Sequence, residues 1–73
     1  MVKFKWHKHN SVVFGNSICG KYEAEVKPQS HSFEYEIKET KNNRIINHGV
    51  LKASDINEAI NVVTAITTLK YAI

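Results

Sequence analysis

The stretch Ala53–Tyr71, ASDINEAINVVTAITTLKY, has the clearest helical period in the chain. Its apolar residues recur at spacings of three and four, as in an amphipathic helix, and they are Ile56, Ala59, Ile60, Val63 and Ile66. Ser54 or Asp55 is placed to cap the first turn, and Glu58, three residues after Asp55, completes a variant of the capping box. The spacing therefore predicts a C-terminal helix, which covers the apolar face of the strands before it.

A second apolar row runs beside the first and consists of Val62, Ile66, Leu69 and Ile73. Together the two rows cover an arc of about 200° around the helix, whereas one buried face needs about 100°. The remaining side is polar but uncharged, with Asn57, Asn61, Thr64 and Thr68. Two interpretations follow: the helix is sunk deeply in its own sheet, or the row formed by Val62, Leu69 and Ile73 also contacts another protein chain.

Four segments before the helix alternate apolar and polar residues, as half-buried strands do, and they span Val2–His9, Ile18–Lys27, Ser32–Thr40 and Arg44–Ala53. A short apolar stretch, Ser11–Phe14, lies between the first two, and Gly15–Ser17 after it has the composition of a turn. The apolar positions of the last segment change parity between Ile46 and Leu51, which predicts a β-bulge at Gly49.

These elements predict an α+β fold with two layers: an antiparallel β-meander of three to four strands, with one C-terminal α-helix packed on one face. The 73 residues, 1–73, are enough for a single domain. A chain this short buries only about 60% of its unfolded surface, so burial of apolar area in a partner would stabilise it. The position of Val2–His9 in the sheet stays open; at an edge, this strand would be accessible to another chain.

No group of residues predicts catalysis, a metal centre or a cofactor. His7 and His9 share one face of a strand and could chelate a metal together. A structural zinc site needs four ligands, however, and the further candidates follow no recognised spacing: they are His31, His48 and Cys19. We therefore expect the histidines to be solvated surface residues.

Glutamates alternate with lysines on two neighbouring segments, and they are Glu23, Glu25, Glu34 and Glu36. Cross-strand Glu–Lys pairs on a solvated face account for this pattern without a catalytic role. The sequence therefore predicts a protein that is not an enzyme.

Positive charge is concentrated at the N-terminus of a chain with ten Lys and Arg, seven acidic residues and a net charge of +3. The candidate contacts for nucleic acid share one face of the first strand and are Lys3, Lys5, His7 and His9. Phe4 and Trp6 lie on the opposite face, so these two rings cannot stack on the bases of the same nucleic-acid strand. Trp6 is therefore predicted to belong to the core.

The order of elements resembles that of many small proteins encoded by phages and other mobile elements: an asparagine-turn hairpin, a strand with a late glycine, and a helix that opens Ser-Asp-x-x-Glu-Ala. Phe33–Val63 is similar in layout to the three-stranded DNA-binding modules at the N-termini of transposon and phage integrases, which lay the outer sheet face in the major groove. Here the glutamates on that face would repel phosphates. The step from the glycine strand to Glu58-Ala59 is similar to the sheet-plus-helix half of HicB-type antitoxins.

The residues favour a small non-enzymatic interaction protein that acts by stoichiometric protein binding and self-association, as a homodimer joined through the helix or through an edge strand. The alternative is a nucleic-acid-binding accessory protein that uses the basic N-terminal strand. A single cysteine allows no intramolecular disulfide, and the reducing cytoplasm is the expected compartment. The N-terminus lacks the apolar core of a signal peptide, and no apolar run is long enough to cross a bilayer.

Overall fold

The computed structural model describes residues 2–71, which form a five-stranded antiparallel sheet with an α-helix against it. The elements in chain order are β1 (Phe4–His9), β2 (Val12–Ser17), β3 (Tyr22–Pro28), β4 (Phe33–Glu39), β5 (Arg44–Leu51) and α1 (Ile56–Tyr71). The order of strands in the sheet follows the chain, so each hairpin joins neighbouring strands. The predicted α+β class, with an antiparallel sheet and a C-terminal helix, is confirmed. The predicted number of three to four strands is wrong, because the sheet has five.

The additional strand is β2, which was not predicted because Gly15 suggested a turn. The composition of Gly15–Ser17 predicts a turn, but Gly15 lies inside β2, where its Cα partner is Trp6 of β1. The indole covers this glycine so closely that a Cβ atom there would lie 2.7 Å from Trp6 Cε3. Gly15 thus makes room for a ring and does not reverse the chain. The turn follows at residues 18–21, where Gly20 has a φ of 80°.

The first strand lies at one edge of the sheet and β5 lies at the other. β1 begins at Phe4 rather than at the predicted Val2, and it pairs with β2. Its second edge has no strand partner among residues 2–71, so its backbone groups are accessible to another chain.

The bulge of β5 lies at Ile46 rather than at the predicted Gly49. Ile37 of β4 pairs with Asn47, and the next residue of β4 pairs with Ile45, so one residue of β5 is left over. This extra residue turns the side chains after it to the opposite face, which is the change of parity that the sequence contains.

The helix begins at Ile56, three residues after the start of the predicted stretch, and Asp55 is its cap. The Oδ1 atom of Asp55 accepts a hydrogen bond of 2.9 Å from the backbone N–H of Glu58. The Ser54 hydroxyl donates to the Glu58 carboxylate at 2.8 Å. The predicted cap at Asp55 is therefore confirmed. The Glu58 side chain, which in a capping box would bond back to the backbone, is held here by the Ser54 hydroxyl.

The core lies between α1 and the central strands. The fully buried line of α1 is Ala59, Val63 and Thr67. The most buried residues of β3 and β4 are Ala24, Val26 and Ile37. Thr67 lies outside both predicted apolar rows, and its hydroxyl is satisfied in the core because it donates to the Val63 carbonyl at 2.9 Å.

Hydrogen bonds tie the end of α1 to distant parts of the chain. The Thr68 hydroxyl oxygen accepts from the backbone N–H of Val2 at 3.1 Å. The Tyr22 hydroxyl donates to the Tyr71 carbonyl at 2.8 Å. The Tyr71 hydroxyl in turn donates to the carbonyl of Ile46, the bulge residue, at 2.9 Å. These three bonds join residues that are 25 to 66 positions apart in the sequence.

Candidate functional site

The candidate site is the face of the sheet that points away from α1, called here the outer face. The alternation along the five strands and their pairing give its residues as Lys5, His7, His9, Val12, Phe14, Asn16, Glu23, Glu25, Lys27, Glu34, Glu36, Lys38, Ile45, His48 and Val50. Most charged side chains of the strands therefore lie on a single surface.

The register of the sheet brings these side chains into rows that cross the strands. One row contains Lys5, Asn16 and Glu23. The next row contains His7, Phe14, Glu25, Glu36 and His48. Within this second row the rings of His7 and Phe14 stack, with centroids 5.9 Å apart and an interplanar angle of 22°.

The predicted nucleic-acid contacts are exposed along the N-terminal edge, and they are Lys3, Lys5, His7 and His9. Phe4 and Trp6 lie half-buried on the inner face, with their ring centroids 5.1 Å apart, and they pack against the core as predicted for Trp6. Phe14 was not among the predicted contacts, and β2 places it beside His7 on the outer face. The alternation of β2 could have indicated its side of the sheet, but only the pairing with β1 gives its neighbour.

The glutamates of the outer face are only partly balanced by lysines. Two pairs of opposite charge face each other across β3 and β4: Glu23 with Lys38, and Lys27 with Glu34. The row between them places Glu25 directly opposite Glu36, a like-charged pair that destabilises the sheet. Within residues 2–71, the ion pair shorter than 4.0 Å joins Lys38 to Glu36, at 3.8 Å.

A shallow depression of about 260 Å³ opens on the outer face above the backbone of Gly49, between Glu25, Glu34, Glu36 and His48. Among residues 2–71, no three His, Cys, Asp or Glu side chains converge closely enough to hold a metal ion. The outer face of the described residues therefore carries charged and apolar side chains around an open depression.

The predicted helix row separates into different environments. Val62 is half-buried, and Leu69 is 72% exposed. The third member, Ile73, lies outside the described residues. The other exposed positions between Asn61 and Leu69 are Asn61 itself and Ala65, so this part of the helix surface carries no charge.

Cys19 lies exposed in the turn between β2 and β3. Its thiol donates a hydrogen bond to the Ser17 hydroxyl oxygen, with 3.5 Å between Sγ and Oγ. In the thiolate form the Ser17 hydroxyl and the Lys21 backbone can instead donate to the sulfur, and this stabilisation of the anion lowers the pKa of the Cys19 thiol below its ordinary value. The Ser17 oxygen also accepts from the Tyr22 N–H at 2.9 Å, so its first role is to close this turn.

No protein-family model matches the chain, and neither the curated proteins nor the solved structures contain a match to it. The 16-residue helix of the described region is too short and too polar for a membrane-crossing segment.

Proposed function

We propose that this chain is a small non-enzymatic interaction protein that binds protein partners stoichiometrically and self-associates. The observation that supports the proposal is the exposure of large apolar side chains on both layers. Leu69 on α1 is 72% exposed, Val50 on the outer face is 61% exposed, and Ile18 in the turn after β2 is 73% exposed. Because so small a domain has marginal stability, burial of these side chains in an interface stabilises it.

The helix row supplies the surface for a protein partner. Leu69 provides an apolar anchor near the end of α1, and the exposed positions before it, Asn61 and Ala65, are small or uncharged. An uncharged surface enters an interface without the desolvation penalty of an unpaired ion. The matching partner surface is apolar, with a pocket for Leu69.

Capture of the tagged protein from the cells that encode it is expected to recover a protein in a fixed molar ratio. Leu69→Lys should abolish recovery, because a lysine would enter an apolar pocket without an ion partner. The matched control is Asn57→Lys, which adds the same charge to an exposed helix position about 18 Å along the axis. Equal recovery with both variants would remove the helix row from the contact.

A second candidate function is single-stranded nucleic-acid binding along β1. The observation that favours it is the position of Phe14, because an aromatic ring now shares a face with Lys5, His7 and His9. Basic side chains that follow a phosphate backbone, together with a ring on which a base stacks, form the usual single-strand platform. The opposing feature is the adjacent strand, which carries Glu23 and Glu25.

For this second function, the affinity for a labelled single-stranded oligonucleotide should fall as salt rises, as fluorescence anisotropy would measure. Lys5→Ala should reduce the slope of log K against log salt by about 0.7, the contribution of one phosphate contact. Lys41→Ala, an exposed lysine of the β4–β5 turn, is the control and should leave the slope unchanged. Affinity that is independent of salt would exclude this function.

The proposal places the protein in the cytoplasm, where the free thiol of Cys19 stays reduced. It also assigns the gene to a phage or other mobile element, on the likeness of layout alone. The genes that flank the coding sequence test this assignment.

A further inference from the structure

Opposite charges on the outer face lie on either side of β2. Lys5 and His7 lie on β1, and Glu23 and Glu25 occupy the matching positions of β3. The backbone of each basic residue is two strand spacings, or about 9.5 Å, from the backbone of the glutamate in its row. Among residues 2–71 the ion pair within 4.0 Å joins two β4 residues, so Lys5 and His7 form no such pair with Glu23 or Glu25, although Glu23 also faces Lys38 of β4.

The strand between these charges presents an uncharged strip to solvent. Its outward residues are Val12, Phe14 and Asn16, and the first two are half-buried. The outer face from β1 to β3 therefore consists of a basic strip, a central strip with an aromatic ring, and an acidic strip formed by Glu23 and Glu25 with Lys27 beyond its end, all parallel to the strands.

This pattern is complementary to itself. We propose that the outer face of β1 to β3 is the interface of a homodimer whose two-fold axis runs along β2. The rotation about that axis exchanges the basic and acidic strips, so Lys5 faces the partner's Glu23 and His7 faces the partner's Glu25. Phe14 lies near the axis and meets the partner's Phe14. The inference rests on the self-association proposed above and identifies the surface that carries it.

Two features of sheet packing are consistent with this dimer. Sheets stack face to face about 10 Å apart with their strands within about 30° of each other, and an axis along β2 keeps the strands of both copies aligned. A two-fold interface also forms each contact twice, so the Lys5–Glu23 and His7–Glu25 contacts each occur twice. In addition, the partner's His7 would place a hydrogen-bond donor beside Glu25, which within its own chain faces Glu36.

A second copy fits this surface better than a nucleic acid does. Phosphates bound along β1 would lie within two strand spacings of Glu23 and Glu25, whereas those carboxylates are the required partners in the dimer. Because the interface uses three short strands, it should bury less than the roughly 800 Å² per partner of a standard interface. We therefore expect a weak dimer whose exposed charge pairs are screened by salt.

The test is sedimentation equilibrium of the intact chain and of two charge reversals. The wild-type mass should approach twice the 8.3 kDa of the monomer at low salt and should fall as salt is added. Lys5→Glu and Glu23→Lys should each raise the dimer dissociation constant by about tenfold or more, because like charges then face each other twice. An equimolar mixture of the two variants should restore the dimer, since both contacts of the mixed pair again join opposite charges.

The control is Lys41→Glu, which makes the same charge change in the β4–β5 turn and should leave the dissociation constant unchanged. A dimer that is insensitive to Lys5→Glu would overturn the proposed surface while leaving self-association intact. Variants that are monomeric alone and also in the mixture would overturn it as well. A wild-type chain that stays monomeric would overturn both self-association and the proposed surface. If that chain then binds an oligonucleotide in a salt-sensitive manner and Lys5→Glu abolishes this binding, the basic strip is a nucleic-acid contact.

Discussion

Ile37→Ala is expected to lower the free energy of unfolding by about 2–5 kcal/mol, the range for truncating a large buried aliphatic side chain. Ile37 is 0% exposed and belongs to the core cluster between β3, β4 and α1. Its cross-strand partner on β3 is Ala24, and Ala59 belongs to the same cluster. These small side chains cannot move into the space that the truncation leaves, so the cavity stays open.

The measurement is urea unfolding monitored by circular dichroism. Ile45→Ala makes the same chemical change on β5, where the side chain is 46% exposed, and it should cost less than about 0.5 kcal/mol. If Ile37→Ala proves too unstable to measure, Ile37→Val should still cost about 0.5–1.5 kcal/mol. Similar effects at positions 37 and 45 would show that the assignment of inner and outer faces is wrong.

Gly15→Ala is expected to destabilise the protein by about 1–3 kcal/mol, although alanine generally suits a strand better than glycine does. The added Cβ would lie 2.7 Å from Trp6 Cε3 and 2.8 Å from Cζ3, well inside the contact distance of about 3.5 Å between carbon atoms. The indole has little freedom to withdraw, because it packs against Phe4 and the core.

A double-mutant cycle with Trp6→Leu separates this clash from other effects. In the Trp6→Leu background, Gly15→Ala should destabilise the protein much less than it does in the wild type. The difference is a coupling energy of about 0.5–3 kcal/mol, measured by thermal unfolding. Gly49→Ala is the matched comparison, since its Cβ would lie 3.3 Å from the Tyr35 ring and should be tolerated better. A Gly15→Ala protein as stable as the wild type would show that Trp6 does not depend on this glycine.

Local periodicity was sufficient to predict the structural features that depend only on residues close together in the sequence. The helix, its Asp55 cap and the alternation of β4 follow from spacings of two to four residues, and all three are present. The strand β2 was missed because Gly15 serves a ring nine residues away in the sequence. Glycine in a strand and glycine in a turn differ in what lies opposite them, and a single sequence does not contain that information.

The same limit applies to the candidate site. Alternation along β1 was sufficient to place Lys5, His7 and His9 on one face. Phe14 joins them only through the pairing of β1 with β2, and the opposition of Glu25 and Glu36 follows only from the register of β3 and β4. Register depends on turn geometry and long-range packing, which the composition of each strand does not determine.

The hydrogen bonds at the end of α1 constrain when the protein can fold. Val2 bonds to Thr68, and Tyr22 bonds to Tyr71, so the segment before β1 and the start of β3 are connected to the last helical turn across 66 and 49 positions of sequence. A nascent chain therefore displays the inner face of its sheet until residues 56–71 have been synthesised. Such non-local closure is slow and leaves strands open to aggregation. A chaperone that binds during synthesis would therefore contact the exposed inner face of the sheet before α1 has formed.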